Sequence, residues 1–320
     1  MKKVLITGGT GFIGSAIVNL LVNYKNIDVT VLDNNFRGNI KNLTHLKNKI
    51  KFKKCDIRNR RKLIKISREM DIIIHLAYVN GTKYFYSMPE HILDVGINGV
   101  MNVLEACKIN NIKELFLASS SEVYQEPENI PTKEEQVVLK IPDIYNPRFS
   151  YGGGKILTEL VGINYGKKFF DRLIIFRPHN VYGPSMGHEH VIPEFISKIN
   201  LTNNNSNVVK IEGSGKEIRS FIFIDDFVQA FDKIFKRGKH LQIYNIGTEN
   251  KIKIIDLAHK IANIMNKKIF IRHKSIKKGG TTRRCPDISK IKKLGFKQKF
   301  TLDNGLENTI KYYVNNYEKK

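Results

Sequence analysis

Short apolar runs alternate with longer amphipathic stretches along the first half of the chain. The runs are bounded by polar residues or glycine, as is typical of buried strands, and lie at Val4–Thr7, Asp28–Leu32, Asp71–Ala77, Glu114–Ser119 and Leu173–Arg177. Between them, Ser15–Asn23 and Gly99–Lys108 repeat their apolar positions with the period of a helix face. Strands that alternate with helices predict βαβ units and a parallel sheet covered on both faces.

Beyond about residue 180 the alternation becomes irregular. Helices are predicted at Ile192–Lys198, Asp226–Phe235, Ile255–Met265 and Gly305–Tyr317, and strands at Val208–Glu212, Ile218–Ile224 and Lys268–His273. Asn203–Ser206 and Lys277–Gly280 read as loops. We therefore predict an α/β fold in two parts: a doubly wound parallel sheet over residues 1–178, and a smaller mixed α/β domain over 179–320 that binds the substrate, with some interleaving of the chain.

Composition excludes several classes of protein. A hydrophobic fraction of 41% can build a core, and no apolar stretch reaches the roughly 18 residues of a membrane helix. The apolar run near the amino terminus breaks into Thr7-Gly8-Gly9, so it reads as a strand and turn rather than a signal peptide. Cys55, Cys107 and Cys285 are too widely separated to suggest a disulfide framework. We expect a soluble, cytoplasmic protein that does not bind a membrane.

The net charge of +24 could indicate a nucleic-acid partner. Lysine, asparagine and isoleucine recur throughout the chain, however, in loops and helices alike. We interpret the charge excess as compositional and consider a nucleic-acid partner unlikely on this pattern. A phosphate-bearing small molecule would benefit from the same positive field.

A glycine-rich turn, Gly8-Gly9-Thr10-Gly11-Phe12-Ile13-Gly14, joins the first predicted strand to the first helix. This strand–turn–helix context predicts a Rossmann-type site, in which backbone approaches a pyrophosphate at a helix amino terminus. Asp33 follows Gly14 by nineteen residues. A carboxylate there accepts hydrogen bonds from a ribose 2′-hydroxyl and repels a 2′-phosphate, which favours NAD over NADP, although Arg37 nearby weakens that preference.

Tyr151 and Lys155 are separated by three consecutive glycines. On a helix the positions i and i+4 share a face, so the ammonium lies beside the phenol and favours the phenolate, making the tyrosine a usable general base. Each intervening glycine costs about 1 kcal/mol relative to alanine inside a helix. We interpret the glycines as allowing close approach of a cofactor or sugar to that backbone.

Hydroxyl side chains follow the fourth predicted strand, in Leu117-Ala118-Ser119-Ser120-Ser121-Glu122-Val123-Tyr124. They would stand at the carboxyl end of the sheet, where ligands bind in open α/β folds. A serine there can hydrogen-bond the same substrate oxygen that Tyr151 deprotonates.

These motifs resemble the extended short-chain dehydrogenase/reductase superfamily, and within it the NAD-dependent nucleotide-sugar epimerase/dehydratase branch. The resemblance spans nearly the whole chain, since further segments also match that branch: Arg177–Pro184, Gly213–Gly215 with Arg219–Phe221, Arg283–Asp287 and Leu294–Phe296. One departure is Gly96, which stands where many relatives have an asparagine, so that role is not carried over.

The resemblance implies roles for individual residues. Catalysis would involve Ser120, Tyr151, Lys155 and, as a further acid or base, Glu122. Contacts to NAD would come from Gly8, Gly11, Phe12, Ile13, Gly14, Asp33, Asn34, Asp56, Ile57, Leu76, Ala77, Tyr151 and Lys155. The nucleotide sugar would be bound by Ser121, Asn180, Arg219 and Arg284. No metal is expected, since His188-Glu189-His190 matches no zinc spacing, and we expect Asp225-Asp226 to cap a helix.

Several reactions fit this pattern. We favour a 4-epimerase acting on a UDP-sugar, because Ser121 replaces the aspartate that the related dTDP-glucose dehydratases carry. The alternatives are a 4,6-dehydratase, a decarboxylase or a C4 dehydrogenase acting on a GDP- or other nucleotide-linked hexose or heptose. A different class, a non-catalytic dinucleotide- or RNA-binding protein, also stays open. Relatives commonly dimerise through helices of the large domain, so we expect a homodimer or higher oligomer.

Overall fold

The computed structural model describes residues 1–136, 144–202, 207–275 and 280–317, so the loops predicted at 203–206 and 277–279 lie outside the described residues. The helices are α1 (Phe12–Leu21), α2 (Arg60–Ile66), α3 (Thr82–Ser87), α4 (Pro89–Ile109), α5 (Phe149–Phe169), α6 (Val191–Asn200), α7 (Ile224–Arg237), α8 (Ile254–Ile264), α9 (Ser289–Lys293) and α10 (Leu302–Tyr317). Two 3-10 turns span Ile40–Leu46 and Ser121–Tyr124.

The strands of the main sheet are β1 (Lys2–Thr7), β2 (Ile27–Asp33), β3 (Ile50–Lys54), β4 (Ile72–His75), β5 (Glu114–Ala118), β6 (Arg172–Pro178) and β11 (Ile243–Ile246). The remaining strands are shorter: β7 (Val181–Tyr182), β8 (Val208–Glu212), β9 (Ile218–Ser220), β10 (Ile222–Phe223), β12 (Lys251–Lys253), β13 (Phe270–Lys274) and β14 (Arg283–Arg284).

The main sheet is parallel throughout, in the order β11-β6-β5-β4-β1-β2-β3. The chain winds in one direction from β1 to β3 and in the other from β4 onward, so the order reverses between β1 and β4. Ligands of doubly wound sheets bind at the carboxyl ends of the strands at such a switch point. The predicted Rossmann-type sheet is confirmed.

Alternating side chains of the central strands fill two separate cores. Val4 and Ile6 pack on one face of the sheet with α1 and α7, whereas Leu5 between them packs on the other face with α4 and α5. All three side chains are fully buried. Burial on both faces is why these strands read as continuous apolar runs rather than as a polar–apolar alternation.

The second half of the chain contributes to both parts of the molecule. β11 pairs with β6, with Ile243 opposite Ile175, and thereby extends the main sheet. The predicted strand at Ile218–Ile224 is divided into β9 and β10, which belong to different small sheets. No helix among the described residues is long and apolar enough to cross a membrane.

The predicted capping role of Asp225-Asp226 is wrong. α7 begins at Ile224, and Phe223 at its cap position makes no side-chain capping bond. The Asp226 carboxylate instead accepts hydrogen bonds from the backbone amides of Lys299 and Phe300, each at 2.9 Å. It therefore fastens the segment before α10 to α7, a contact between residues more than seventy positions apart that local spacing does not reveal.

Candidate active site

The turn between β1 and α1 is built on two glycines. Gly8 has a φ of 71°, in the left-handed region that favours glycine. A Cβ on Gly14 would lie closer than 3.0 Å to the Gly8 carbonyl oxygen, so only glycine fits there. Gly11 is the extended residue at the amino terminus of α1. The unpaired N–H groups of that terminus face the cleft described below and suit a pyrophosphate.

Asp33 ends β2 beside this turn, and its carboxylate is buried. One oxygen accepts from the Thr10 amide at 3.0 Å and the other from the Asn35 amide at 2.8 Å. These bonds fix the carboxylate against the glycine turn while each oxygen retains a lone pair for a ribose hydroxyl. The glycine turn and Asp33 are thus placed as the phosphates and the adenosine ribose of a dinucleotide would require.

A single cleft of about 990 Å³ runs along the carboxyl edge of the sheet. Every residue that the sequence analysis assigned to catalysis, cofactor or substrate lies on its wall, from Gly8 and Asp33 at one end to Arg219 and Arg284 at the other. The volume is at the upper end of the roughly 300–1,000 Å³ of ligand pockets, as two adjoining ligands require. The residues present therefore fit a dinucleotide, whose individual contacts stay predictions.

Asp56, predicted to contact NAD, is paired within the protein. Hydrogen bonds from Arg58, together with one from Asn34 at 3.0 Å, lower the pKa of its carboxyl to about 2 although burial opposes this. Asp56 is therefore ionised at neutral pH and can accept a hydrogen bond from a ligand amino group.

Tyr151 lies in the first turn of α5 with 5% of its surface exposed. Burial raises the pKa of the phenol, whereas the neighbouring Ser120 side chain lowers it. The structure therefore places the serine and the tyrosine predicted from sequence together on the wall of the cleft. A buried phenol needs nearby positive charge before it can act as a base at neutral pH.

Lys155 brings an ammonium group close to the Tyr151 ring, one turn further along α5. The residue is 3% exposed, and its ammonium donates to the Ala118 carbonyl oxygen at 2.7 Å and lies 5.8 Å from the centre of the Tyr151 ring. Burial lowers the pKa of Lys155 to about 7, and the Glu159 carboxylate opposes the shift. Without a ligand, Lys155 is therefore about half charged and half neutral near pH 7.

The three glycines were predicted to allow a cofactor or sugar to approach the helix backbone, and this prediction is wrong at Gly154. A Cβ there would lie closer than 3.0 Å to the hydroxyl of Tyr78, so a side chain of the protein, rather than a ligand, occupies the space. Gly152 is in ordinary contact with the Glu122 backbone, and at Gly153 a Cβ would meet no described atom within 4 Å. Sequence reasoning missed Tyr78 because it is far from Tyr151 along the chain.

Glu122 forms an ion pair with Arg284. The two guanidinium nitrogens donate to its two oxygens at 2.7 and 2.9 Å, and Arg148 lies 3.9 Å away. Burial opposes ionisation, but the charges of Arg284 and Arg148 lower the pKa of Glu122 to about 2. Glu122, the predicted acid or base, and Arg284, predicted to bind the nucleotide sugar, are therefore bound to each other, so a substrate phosphate would have to compete with Glu122 for Arg284.

Arg37 is held by the opposite wall of the cleft. Its Nη1 lies 3.2 Å from Glu189 Oε2, and its guanidinium lies over the Tyr84 ring at 4.7 Å. Gly187 leaves room for this pair, because a Cβ there would lie 2.6 Å from the Glu189 oxygen. Among the described residues no group of three histidine, cysteine or acidic side chains is placed to hold a metal.

A buried polar network surrounds the Glu159 carboxylate, one turn beyond Lys155 on α5. Arg177, 1% exposed, donates to both oxygens of Glu159 at 2.8 and 2.7 Å, and Ser119 donates to the same carboxylate. Because Glu159 also acts on Lys155, this ion pair fixes the charge that the lysine meets from its own helix.

Comparison with known proteins agrees with this geometry. The sequence model of the NAD dependent epimerase/dehydratase family matches residues 4–247. A dTDP-D-glucose 4,6-dehydratase of Dictyostelium discoideum is 31% identical, over 99% of this chain and 82% of that protein. A putative UDP-glucose 4-epimerase of Methanocaldococcus jannaschii is 30% identical, over 98% of this chain and 99% of that protein.

Among solved structures, the chain is similar to a UDP-N-acetylglucosamine 4-epimerase from Methanobrevibacter ruminantium in complex with UDP-N-acetylmuramic acid. The TM-score is 0.86 at 28% identity, with 98% of each chain covered. The similarity therefore extends over both parts of the fold.

Proposed function

This chain belongs to the NAD-dependent epimerase/dehydratase family, and on that premise we propose that it is a 4-epimerase acting on a UDP-sugar. It oxidises the C4 hydroxyl of the sugar to a ketone and reduces that ketone from the opposite face. The observation that carries the proposal is the placement of Ser120, Tyr151 and Lys155 in one cleft with the glycine turn, with the Lys155 ammonium 5.8 Å from the centre of the Tyr151 ring. A non-catalytic binding protein would not need that arrangement.

The side chains supply the proton chemistry. Tyr151 as phenolate removes the proton of the sugar hydroxyl, and Ser120 hydrogen-bonds the same oxygen. The positive charge of the Lys155 ammonium favours the phenolate, whereas burial raises the pKa of the phenol. A bound nicotinamide would supply the hydride acceptor for C4 and the hydride donor for the return step. The sugar then rotates in the cleft so that its opposite face is presented, and Tyr151 returns the proton to the C4 oxygen.

The environment of Glu122 supports epimerisation over dehydration. Elimination of water across C5 and C6 requires a base for the C5 proton and an acid for the departing hydroxyl. Glu122 is ionised and bound to Arg284, so it is a weak base and no acid, and Ser121 carries only a hydroxyl. A 4-epimerase needs neither group.

A 4,6-dehydratase is the second candidate, and one observation favours it. The Glu122 carboxylate, two residues after Ser120, lies near enough to Tyr151 for its charge to raise the pKa of the phenol. A second acid/base group is therefore present beside the proposed catalytic tyrosine. If the substrate diphosphate bound Arg284, the carboxylate would lose its main partner and its pKa would rise, making it a stronger base.

A panel of UDP-, dTDP-, GDP- and CDP-sugars separates these candidates. Each is incubated with the protein and NAD⁺, and the products are analysed by mass spectrometry and NMR. A product of unchanged mass with inverted C4 supports the epimerase, whereas loss of one water supports the dehydratase. Release of carbon dioxide would identify a decarboxylase, and accumulating NADH a dehydrogenase. No turnover of any sugar would contradict both candidates.

We also propose that the cofactor is NAD rather than NADP. The buried Asp33 carboxylate repels a 2′-phosphate, and Arg37, the cation that could bind it, is held by Glu189 and Tyr84. Glu189→Gln should release Arg37 and tighten NADP⁺ binding while leaving NAD⁺ binding nearly unchanged. Glu194→Gln, on the same wall of the cleft, is the matched control. Calorimetric titration measures both, and equal NADP⁺ affinity in wild type and Glu189→Gln would contradict the proposed role of Arg37.

The proposed assembly is a homodimer formed through α4 and α5. These two long helices pack against each other, and their outer faces expose apolar side chains: Leu93 and Ile97 on α4, and Leu157 and Leu160 on α5. Leu160→Lys should therefore produce monomers in sedimentation velocity experiments, whereas Leu201→Lys, equally apolar and exposed but on another face, should not.

A further inference from the structure

Tyr78 follows β4 and reaches the centre of the cleft, where no role was assigned to it. Its hydroxyl is buried and has no hydrogen-bond partner among the described residues. An unpartnered buried hydroxyl costs free energy, so the phenol must be retained there for its ring or for a partner yet to bind.

Two glycines on two helices leave room for this side chain. A Cβ on Gly96 of α4 or on Gly154 of α5 would lie closer than 3.0 Å to the Tyr78 hydroxyl oxygen. Tyr78 thus fills the space that a side chain at position 96 would occupy and separates α4 from α5 at this level. Both glycines lie inside long helices, where each costs about 1 kcal/mol relative to alanine.

The ring of Tyr78 contacts both members of the predicted catalytic pair. The Lys155 ammonium lies 3.9 Å from the ring centre, a cation–π contact. The rings of Tyr78 and Tyr151 pack edge to face, with their centres 5.1 Å apart and their planes at 84°. Phe85 stacks on Tyr151 with centres also 5.1 Å apart, so the Tyr151 ring is confined by two aromatic neighbours.

We propose that Tyr78 is a positioning residue whose ring keeps the Lys155 ammonium charged and beside Tyr151, and whose edge fixes the orientation of the Tyr151 ring. The proposal rests on Tyr151 and Lys155 being the catalytic pair of the proposed function. The ring, rather than the hydroxyl, does this, because burial raises the pKa of Tyr78 and keeps its phenol neutral.

The groups that face Lys155 come from three elements. Tyr151 and Glu159 belong to its own helix, His75 lies on β4 and Tyr78 follows β4, and β5 contributes the Ala118 carbonyl oxygen. Burial lowers the pKa of His75 to about 3, so this histidine is neutral at physiological pH. The Tyr78 ring and the Glu159 carboxylate are then the groups that favour the charged lysine.

Two substitutions separate the ring from the hydroxyl. Tyr78→Leu removes the aromatic face, and the pKa of Lys155 should fall by about 0.4 to 1.5 units, a roughly 2- to 30-fold loss of the charged form. The basic limb of the kcat–pH profile should shift to lower pH by the same amount. Tyr78→Phe retains the ring, so its profile should match the wild type, and its thermal stability should be equal or higher because the unpartnered hydroxyl is gone.

The lysine is also titrated directly, by NMR of protein labelled with ¹³C at lysine Cε, with Lys155→Met identifying the signal. This readout needs no turnover, so the proposal about Tyr78 can fail while the proposed function holds, or hold while no sugar is converted. An unchanged Lys155 pKa in Tyr78→Leu would overturn it, as would an equal fall in Tyr78→Phe. Should Tyr78→Leu fail to fold, Gly96→Ala displaces the same ring, and the same fall is expected.

Discussion

Adding one methyl group at each of two adjacent glycines of α5 tests the packing around Tyr151 and Lys155. Gly153→Ala and Gly154→Ala make the same chemical change one residue apart on the same helix. Helix propensity alone favours alanine by about 1 kcal/mol at both positions. Any difference between the two variants must therefore come from what the new Cβ meets.

The structure gives the two positions opposite surroundings. At Gly153 no described atom lies within 4 Å of a Cβ, so the full gain of about 1 kcal/mol should be observed. At Gly154 the Cβ would collide with the Tyr78 hydroxyl, and overpacking of this kind costs about 1–3 kcal/mol. The net effect there is a change between about 0 and −2 kcal/mol in the free energy of unfolding.

Thermal unfolding measures both effects. For a chain of this size 1 kcal/mol corresponds to about 2 °C or less in Tm. Gly153→Ala should raise Tm by about 1–2 °C, and Gly154→Ala should lower it by up to about 4 °C and also reduce kcat, because Tyr78 is displaced. Equal stabilisation by both variants would refute the reasoning. Because Gly153 shares the outer face of α5 with Leu157 and Leu160, the scans are repeated at several protein concentrations, which exposes any contact made only in a dimer.

The remaining predictions address the chemistry and the buried ion pairs. Tyr151→Phe should abolish turnover while leaving NAD⁺ affinity within about twofold, and unchanged kcat would remove the phenol from the mechanism. Glu122→Gln should barely change the rate of an epimerase but should reduce that of a dehydratase by about 100-fold or more, with Glu217→Gln, another carboxylate of the cleft, as control. In the cofactor-free protein, Lys155 should titrate near pH 7, charged below that pH and neutral above it; a midpoint near 10.4 would contradict the burial argument. Arg177→Met leaves the buried Glu159 carboxylate unpaired, so unfolding in urea should show a loss of about 3–5 kcal/mol, and a loss below 1 kcal/mol would contradict it.

Local patterns predicted the large part of the fold and the position of the cleft. Apolar runs identified β1, β2, β4, β5 and β6, because strands buried on both faces have little choice of side chain. β3 and β11 were not predicted. β3 is an edge strand whose lysines face solvent, and the polar residues within β11 interrupt its apolar pattern.

Local patterns failed where a residue's partner is remote in sequence. Asp226 was predicted to cap a helix, but its carboxylate accepts a hydrogen bond from the backbone amide of Lys299. Arg37 looked like a cation available to a 2′-phosphate until Glu189 was found across the cleft. In each case the chemistry of the residue was predicted correctly but its partner was not. The spacing of residues along the chain carries no information about contacts that form only on folding.

The amino-acid pattern alone was enough to predict the parallel sheet, the glycine turn, the position of Asp33 at the end of β2, and the tyrosine and lysine on one helix face. Each of these follows from steric and periodic rules that act within a few residues. Only the tertiary structure decided that Glu122 binds Arg284, that Glu189 holds Arg37, and that the ring of Tyr78 lies against Lys155. Electrostatic and packing energies depend on distance in space, and the sheet brings these residues together from segments that the chain order keeps far apart.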